Sequence, residues 1–125
     1  MPRIESLSAV TLGVTDMPAS VTFYLALGFE MLYGGPDATF SSFRAGPGYL
    51  NLQYTGTDPL VMAERAEHWG RAIFYVADVD DMHAVAVAAG YRPESEPADA
   101  PWGERYFHLR DPDGHQLSFA RPLPR

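Results

Sequence analysis

Cysteine is absent from the 125 residues, and so is lysine. Without thiols there is no disulfide, thiolate nucleophile, zinc–cysteine site or iron–sulfur cluster. Without lysine, Schiff-base catalysis, pyridoxal attachment and P-loop phosphate transfer are excluded as well. Positive charge of any kind is scarce: nine basic residues, all arginine, face sixteen carboxylates for a net charge of −7. A nucleic-acid partner needs a basic face to neutralise phosphates, so none is expected. The acidic balance serves solubility, or more sharply a preference for cationic ligands. Long apolar runs are missing too. No stretch approaches the ~18 residues of a membrane helix. The start, Met1-Pro2-Arg3-Ile4-Glu5, carries charge where a signal peptide needs an apolar run. These features predict no membrane partner and a cytoplasmic protein. What is present, 46% apolar and 13% aromatic residues, describes one globular domain with a core that needs no staples.

The chain repeats itself. Sliding it by 62 positions lays Val14-Thr15-Asp16 on Val76-Ala77-Asp78, Ala26 on Ala88, Gly28 on Gly90 and Phe29 on Tyr91. The matches fall at the same structural punctuation in each half. An apolar run reads as a strand (Leu7 to Thr15, then Ala72 to Ala77). Asp16 or Asp78 follows as an N-cap, with Pro18 tolerated in the first turn. A helical stretch of roughly twelve residues comes next, with Met17, Val21, Tyr24 and Leu25 on one face of the first helix. On the second helix Val79, Met82, Ala86 and Ala89 share a face. Gly28 and Gly90 then sit where a left-handed C-terminal cap is wanted. Further strands are expected near Phe29–Tyr33 and Tyr91–Glu94, and hairpins at Ala45-Gly46-Pro47-Gly48 and Asp111-Pro112-Asp113-Gly114. The fold class is therefore α+β, two βαβββ repeats covering about 6–54 and 71–121, joined by a connector over 55–70 whose Asp58-Pro59 can open a short helix. Neither half covers its own sheet face. The expectation is an eight-stranded cup with helices outside, closed in an exchanged homodimer or within one chain.

Hairpin geometry assigns the faces. A three-residue loop Pro112-Asp113-Gly114 with Gly114 left-handed pairs residue 108 with 118 and 106 with 120. Cross-strand partners share a face. Phe107, Leu109, Leu117 and Phe119 then form core, while Tyr106, His108, Arg110, Gln116 and Ser118 look into the cup. In the first repeat Leu50, Leu52 and Tyr54 face the core, and Tyr49, Asn51 and Gln53 face the cup. Ala9 and Thr11, with Arg71, Ile73 and Tyr75 from the equivalent strand, complete the lining. A register slip of one residue would invert any of these faces.

With these residues placed, the chain resembles the glyoxalase/bleomycin-resistance/dioxygenase superfamily, whose members are also called vicinal-oxygen-chelate proteins. The likeness rests on Val10-Thr11-Leu12-Gly13-Val14-Thr15-Asp16, Phe23-Tyr24 before Leu27-Gly28-Phe29, Phe74-Tyr75-Val76-Ala77-Asp78, and Asp111-Pro112-Asp113-Gly114-His115. The family's enzymes hold a divalent metal with histidine or glutamine on the opening strands and carboxylates on the closing ones. Carried over by position, those slots hold Ala9, Gln53, Arg71 and Ser118. A methyl group cannot ligate and a guanidinium repels a metal, so the expectation is no metal and no cofactor. What remains is similar to the antibiotic-binding branch, the bleomycin- and mitomycin-binding resistance proteins, with Pro101-Trp102-Gly103-Glu104-Arg105-Tyr106 as the local match. The resemblance implies an exchanged homodimer that sequesters a drug without chemistry.

Several side chains carry two readings. Trp102 either packs under its loop or stacks on a flat ligand. His108 is a hydrogen-bonding wall residue or a general base. Arg71 anchors a carbonyl or carboxylate, or it pairs with an internal acid. No Gly-x-Ser-x-Gly occurs, so Ser118 has no nucleophile-elbow setting. The favoured function is non-catalytic binding of a planar aromatic or polycyclic small molecule, with antibiotic sequestration and resistance as the role. Its expected lining is Trp102, His108, Tyr106, Arg71, Tyr75, Asn51, Gln53 and Ser118. The alternative is a metal-independent isomerase or lyase in which His108 is the base and Arg71 polarises a carbonyl.

Overall fold

The computed structural model describes residues 2–124. Two four-stranded sheets carry the fold. The first repeat runs β1 (Ala9–Val14), α1 (Met17–Ala26), β2 (Glu30–Tyr33), β3 (Phe40–Ala45) and β4 (Gly48–Tyr54). A connecting helix α2 (Pro59–Trp69) leads into β5 (Arg71–Tyr75), α3 (Val79–Ala88), β6 (Ala98–Asp99), β7 (Glu104–Arg110) and β8 (Gln116–Pro122). Strand order is β1-β4-β3-β2 in one sheet and β5-β8-β7-β6 in the other. In both, the opening strand lies parallel to the last, and the remaining pairs are antiparallel.

The punctuation recurs in space as it does in sequence. The carboxylates of Asp16 and Asp78 accept hydrogen bonds from the amides of Ala19 and Asp81, each at 3.0 Å. Each satisfies a donor the helix cannot. Both helices end on a glycine with positive φ, Gly28 at 96° and Gly90 at 92°. The next amide then reaches back to the helix, Phe29 to the Tyr24 carbonyl and Tyr91 to that of Ala86. A side chain at either glycine would be strained in this conformation. Asp58 caps α2 through the Leu60 amide at 2.8 Å, so the connector does form a helix.

One element moves. The strand expected at Tyr91–Glu94 is absent, and its place at the sheet edge is taken by the two-residue β6. Pro93 removes an amide that a ladder over Tyr91–Glu94 would need. Only fragments of pairing remain: the Glu94 amide donates to the His108 carbonyl, and the His108 amide donates to the Ser95 hydroxyl. Two helix positions also differ. Phe23 of α1 is buried while Leu25 is half-exposed, and Ala89 is exposed at the end of α3.

Leu50, Leu52, Phe107, Leu109, Leu117 and Phe119 are all buried, as the pleat requires of the helix-facing sides. Tyr54 is not. It stays 46% exposed, because the strand's last residue lies at the start of α1, beside Pro18 and Pro59 at the rim of the helix layer. The halves meet through aromatic edges, Phe29 on Phe74 with ring centroids 5.1 Å apart and Phe23 on Tyr91 at 4.7 Å. Beside them lies a polar clasp. Asp113 accepts from the amide and hydroxyl of Thr15, Asp111 accepts from the Tyr24 hydroxyl at 2.8 Å, and His115 Nε2 donates to the Gly13 carbonyl at 2.8 Å. The Asp111–His115 hairpin thus serves to join the repeats. Among the described residues no helix is long and apolar enough to cross a membrane.

Candidate functional site

The second hairpin has the register that its loop dictates: His108 opposite Ser118 and Tyr106 opposite Ala120. Gly114 takes the left-handed turn position with φ 92°. Alternation then puts Glu104, Tyr106, His108 and Arg110 of β7 on the sheet face away from the helices. Gln116 and Ser118 of β8 share that face with Arg71, Ile73 and Tyr75 of β5. Here the expected second-repeat residues come together.

The face is graded from end to end. At one end lie the charges. Arg71 donates to the Gln116 carbonyl oxygen at 3.1 Å, Gln116 donates to Glu94, and Arg110 donates to both Glu94 and the Gly114 carbonyl. Burial pushes the Glu94 carboxyl up, but the hydrogen bonds from Gln116 and Arg110 outweigh it and hold the group below its ordinary range. Arg71 is therefore tied to an amide, and the acid in the network belongs to Arg110.

In the middle, His108 Nδ1 and Ser118 Oγ share a 2.7 Å hydrogen bond. Ser118 is buried although it faces outward, since the larger Ile73 and His108 flank it on either strand. Burial is the main cause that lowers the His108 pKa; Arg71 and Arg110 add to it, and Glu94 opposes. A histidine whose pKa falls on folding resists protonation in the native state. Its contribution to stability is therefore present above the ordinary histidine value and lost as pH falls towards the lowered one. Arg71→Gln removes the second-largest cause, so the His108 pKa should rise in the variant. Imidazole chemical shifts followed through a pH titration would check this, and an unmoved midpoint would show that Arg71 does not act on His108.

The other end is aromatic. Trp102 leaves the loop before β7 and lies stacked on Tyr106, ring centroids 5.7 Å apart and planes 28° from parallel. It is 69% exposed, so it does not pack beneath its loop. Its Nε1 donates to Glu104 at 2.9 Å, and the Tyr75 hydroxyl donates to the other oxygen of the same carboxylate. Glu104 and Glu94 are the wall residues that reasoning from sequence passed over. Glu104 carried a usable signal, since it lies two residues before Tyr106 in one alternating strand. Glu94 carried none, because it approaches from an irregular segment.

The first-repeat residues lie apart. Asn51 donates to the Thr11 hydroxyl on its own sheet, and the Gln53 amide is turned to the carbonyls of Thr39 and Tyr54. Among the described residues no hydrogen bond joins Asn51 or Gln53 to the second sheet. Between the unpaired edges of β1 and β5 runs a groove of about 890 Å³, whose lining includes Ala9, Tyr49, Arg71, Tyr75 and Glu104.

The four positions equivalent to the metal slots do not fit a metal. Ala9 offers no donor, Arg71 is a cation held by Gln116, and Ser118 is engaged with His108. Gln53 is a neutral amide facing its own backbone. Among the described residues no three His, Cys, Asp or Glu side chains converge as a ligand set.

Comparison with known proteins agrees with this architecture. The model of the Glyoxalase/Bleomycin resistance protein/Dioxygenase superfamily matches residues 6–119. A curated protein of Mycobacterium tuberculosis named as a glyoxylase, CFP32, is 32% identical over 117 residues, 90% of this chain. The chain spans only 42% of that relative's length. Among solved structures, TioX from Micromonospora sp. ML1 superposes with a TM-score of 0.73 at 25% identity, over 95% of this chain and all of that one. The bleomycin-binding protein of the bleomycin producer Streptomyces verticillus, solved with copper(II)-bleomycin, gives 0.69 at 26% identity, over 98% of this chain and 100% of its own. With the repeat, the cap positions and the hairpin in register, the chain belongs to the glyoxalase/bleomycin resistance protein/dioxygenase superfamily.

Proposed function

We propose that this protein binds a planar aromatic or polycyclic small molecule without transforming it, sequestering an antibiotic. The carrying observation is the exposed Trp102–Tyr106 stack at the end of an open sheet face. A large indole left in water, with its N–H already bonded and one π-face free, is suited to take a flat ring. His108, Tyr106, Ser118, Arg71 and Tyr75 supply the neighbouring donors and acceptors. The likeness to a protein solved with copper(II)-bleomycin supports the ligand class.

The cup is completed by a second copy in an exchanged homodimer. Ile73 is 59% exposed and Tyr75 64%, an apolar area that a partner's Asn51 and Gln53 face would cover. The free edges of β1 and β5 supply further surface for pairing. Light scattering across micromolar concentrations should show a dimer; a monodisperse monomer overturns this assembly.

A thermal-shift screen of antibiotics and aromatic metabolites, with and without divalent metals, tests the function. A true ligand at 100 times its Kd should add ~2.7 kcal/mol of stability. It should be recovered chemically unchanged from the complex. Elemental analysis of the purified protein should find no stoichiometric transition metal, and about one equivalent per chain would reinstate a metal enzyme. Turnover that survives metal stripping and disappears in His108→Ala would instead establish the isomerase or lyase reading.

A further inference from the structure

The Glu104 carboxylate holds an unusual position. It bridges two neutral donors, Trp102 Nε1 and the Tyr75 hydroxyl, and among the described residues no arginine or histidine forms an ion pair with it. The neighbouring Arg105 points to the opposite face of β7, where Asp80 and Asp99 engage it. Every other carboxylate–arginine contact near this wall is at the far end, where Arg110 pairs with Glu94. Four residues of strand, roughly 13 Å at 3.3 Å per residue, separate Tyr75 beside Glu104 from Arg71 among those charges. One end of the face therefore presents an uncompensated anion held by two aromatic side chains, beside the Trp102–Tyr106 stack, and the other end presents guanidinium groups.

Trp102 and Tyr75 meet that anion through their N–H and O–H donors, and Tyr106 stacks on Trp102. Aromatic faces attract cations through their quadrupoles, more strongly where the pair is desolvated. Each oxygen of Glu104 has accepted one hydrogen bond and can accept another. A neutral ring would use the stacking surface and leave the charge unmatched. A positively charged ring would use both. We infer that Glu104 is the specificity-determining residue of this face and selects an aromatic cation, stacked on the free face of Trp102 with its positive charge beside the carboxylate. This deepens the binding reading above and rests on it.

The probes are N-methylacridinium, a fixed aromatic cation, and acridone, a neutral tricycle of similar size. Dissociation constants are measured calorimetrically at 0.15 M salt, where the long-range pull of the −7 net charge is screened beyond ~8 Å. The wild-type protein should bind the cation at least tenfold more tightly than acridone. Glu104→Gln should reduce that preference to about twofold, the cation losing more affinity than acridone. Glu64→Gln, an exposed carboxylate on α2 removed as a control for net charge, should leave the preference intact. Equal affinities in the wild type, or a preference that survives Glu104→Gln, overturn the role of Glu104 while the binding face stands. If neither probe binds, the binding reading itself fails, and this inference fails with it.

Discussion

Asp111→Ala should destabilise the protein by about 3 kcal/mol, lowering Tm by roughly 12 °C for a chain of this size. The side chain is buried where the two repeats meet. One oxygen accepts from the amides of Asp113 and His115, the other from the Tyr24 hydroxyl. Truncation leaves three donors without a partner, and each buried orphan costs ~1–3 kcal/mol less whatever relaxation recovers. Tyr24→Phe, which removes one of the three, should cost about 1 kcal/mol. Thermal melts of both variants check the order. Equal, small losses would mean that Asp111 contributes little to holding the halves together.

The same aspartate gives the melts a pH signature. Burial is the largest effect on Asp111 and raises its pKa, against the opposing influence of His115 and of the bonds from Tyr24 and the His115 amide. A carboxyl raised on folding stabilises most below its ordinary value, and that contribution is lost as pH climbs through the raised one. Asp111→Asn should abolish this decline, so the stability difference between wild type and variant should drift against the wild type from about pH 4 upwards.

Much of this clasp was written in the sequence without being legible as a clasp. Asp111-Pro112-Asp113-Gly114 announces a turn by its local chemistry alone, and the turn fixes the register of β7 on β8. The faces of Phe107, His108, Leu117 and Ser118 follow by alternation. The two helices were equally plain, because cap residues act within four positions of themselves. What local chemistry cannot show is the use of the hairpin's carboxylates 87 and 98 residues away, on Tyr24 and Thr15. The failed strand at 91–94 has the complementary cause. Of its four residues only Tyr91 packs against the core, and Pro93 strips one of the amides on which pairing depends.

The wall of the candidate site divides along the same line. Residues on β7 and β8 could be assigned to a face once one turn was read, and Tyr106, His108, Arg110, Gln116 and Ser118 all lie there. Glu94, which reaches that face from an irregular segment, could not be foreseen. Arg71 and Arg110 were both assigned to this face; the structure adds Glu94 at their end and Glu104 at the other. The wall is accordingly more polarised than a lining of neutral amides and hydroxyls.

Trp102→Ala should weaken ligand binding by about 2 kcal/mol or more, some thirtyfold, while Tm stays close to wild type. The two effects separate because of where the indole sits. With 69% of its surface in water it contributes little apolar burial to folding, and its loss opens no cavity in the core. Its hydrogen bond to Glu104 and its stack on Tyr106 both lie at the surface. A bound ring would cover the free face of the indole and complete a sandwich against Tyr106, turning exposed area into buried contact only in the complex. Removing the indole forfeits that contact and frees Glu104 from one of its two donors. Affinity and melting temperature should be scored separately on the same preparation. Lost affinity with a retained melt makes Trp102 a binding residue; a collapsed melt with unchanged affinity would assign the indole to the fold.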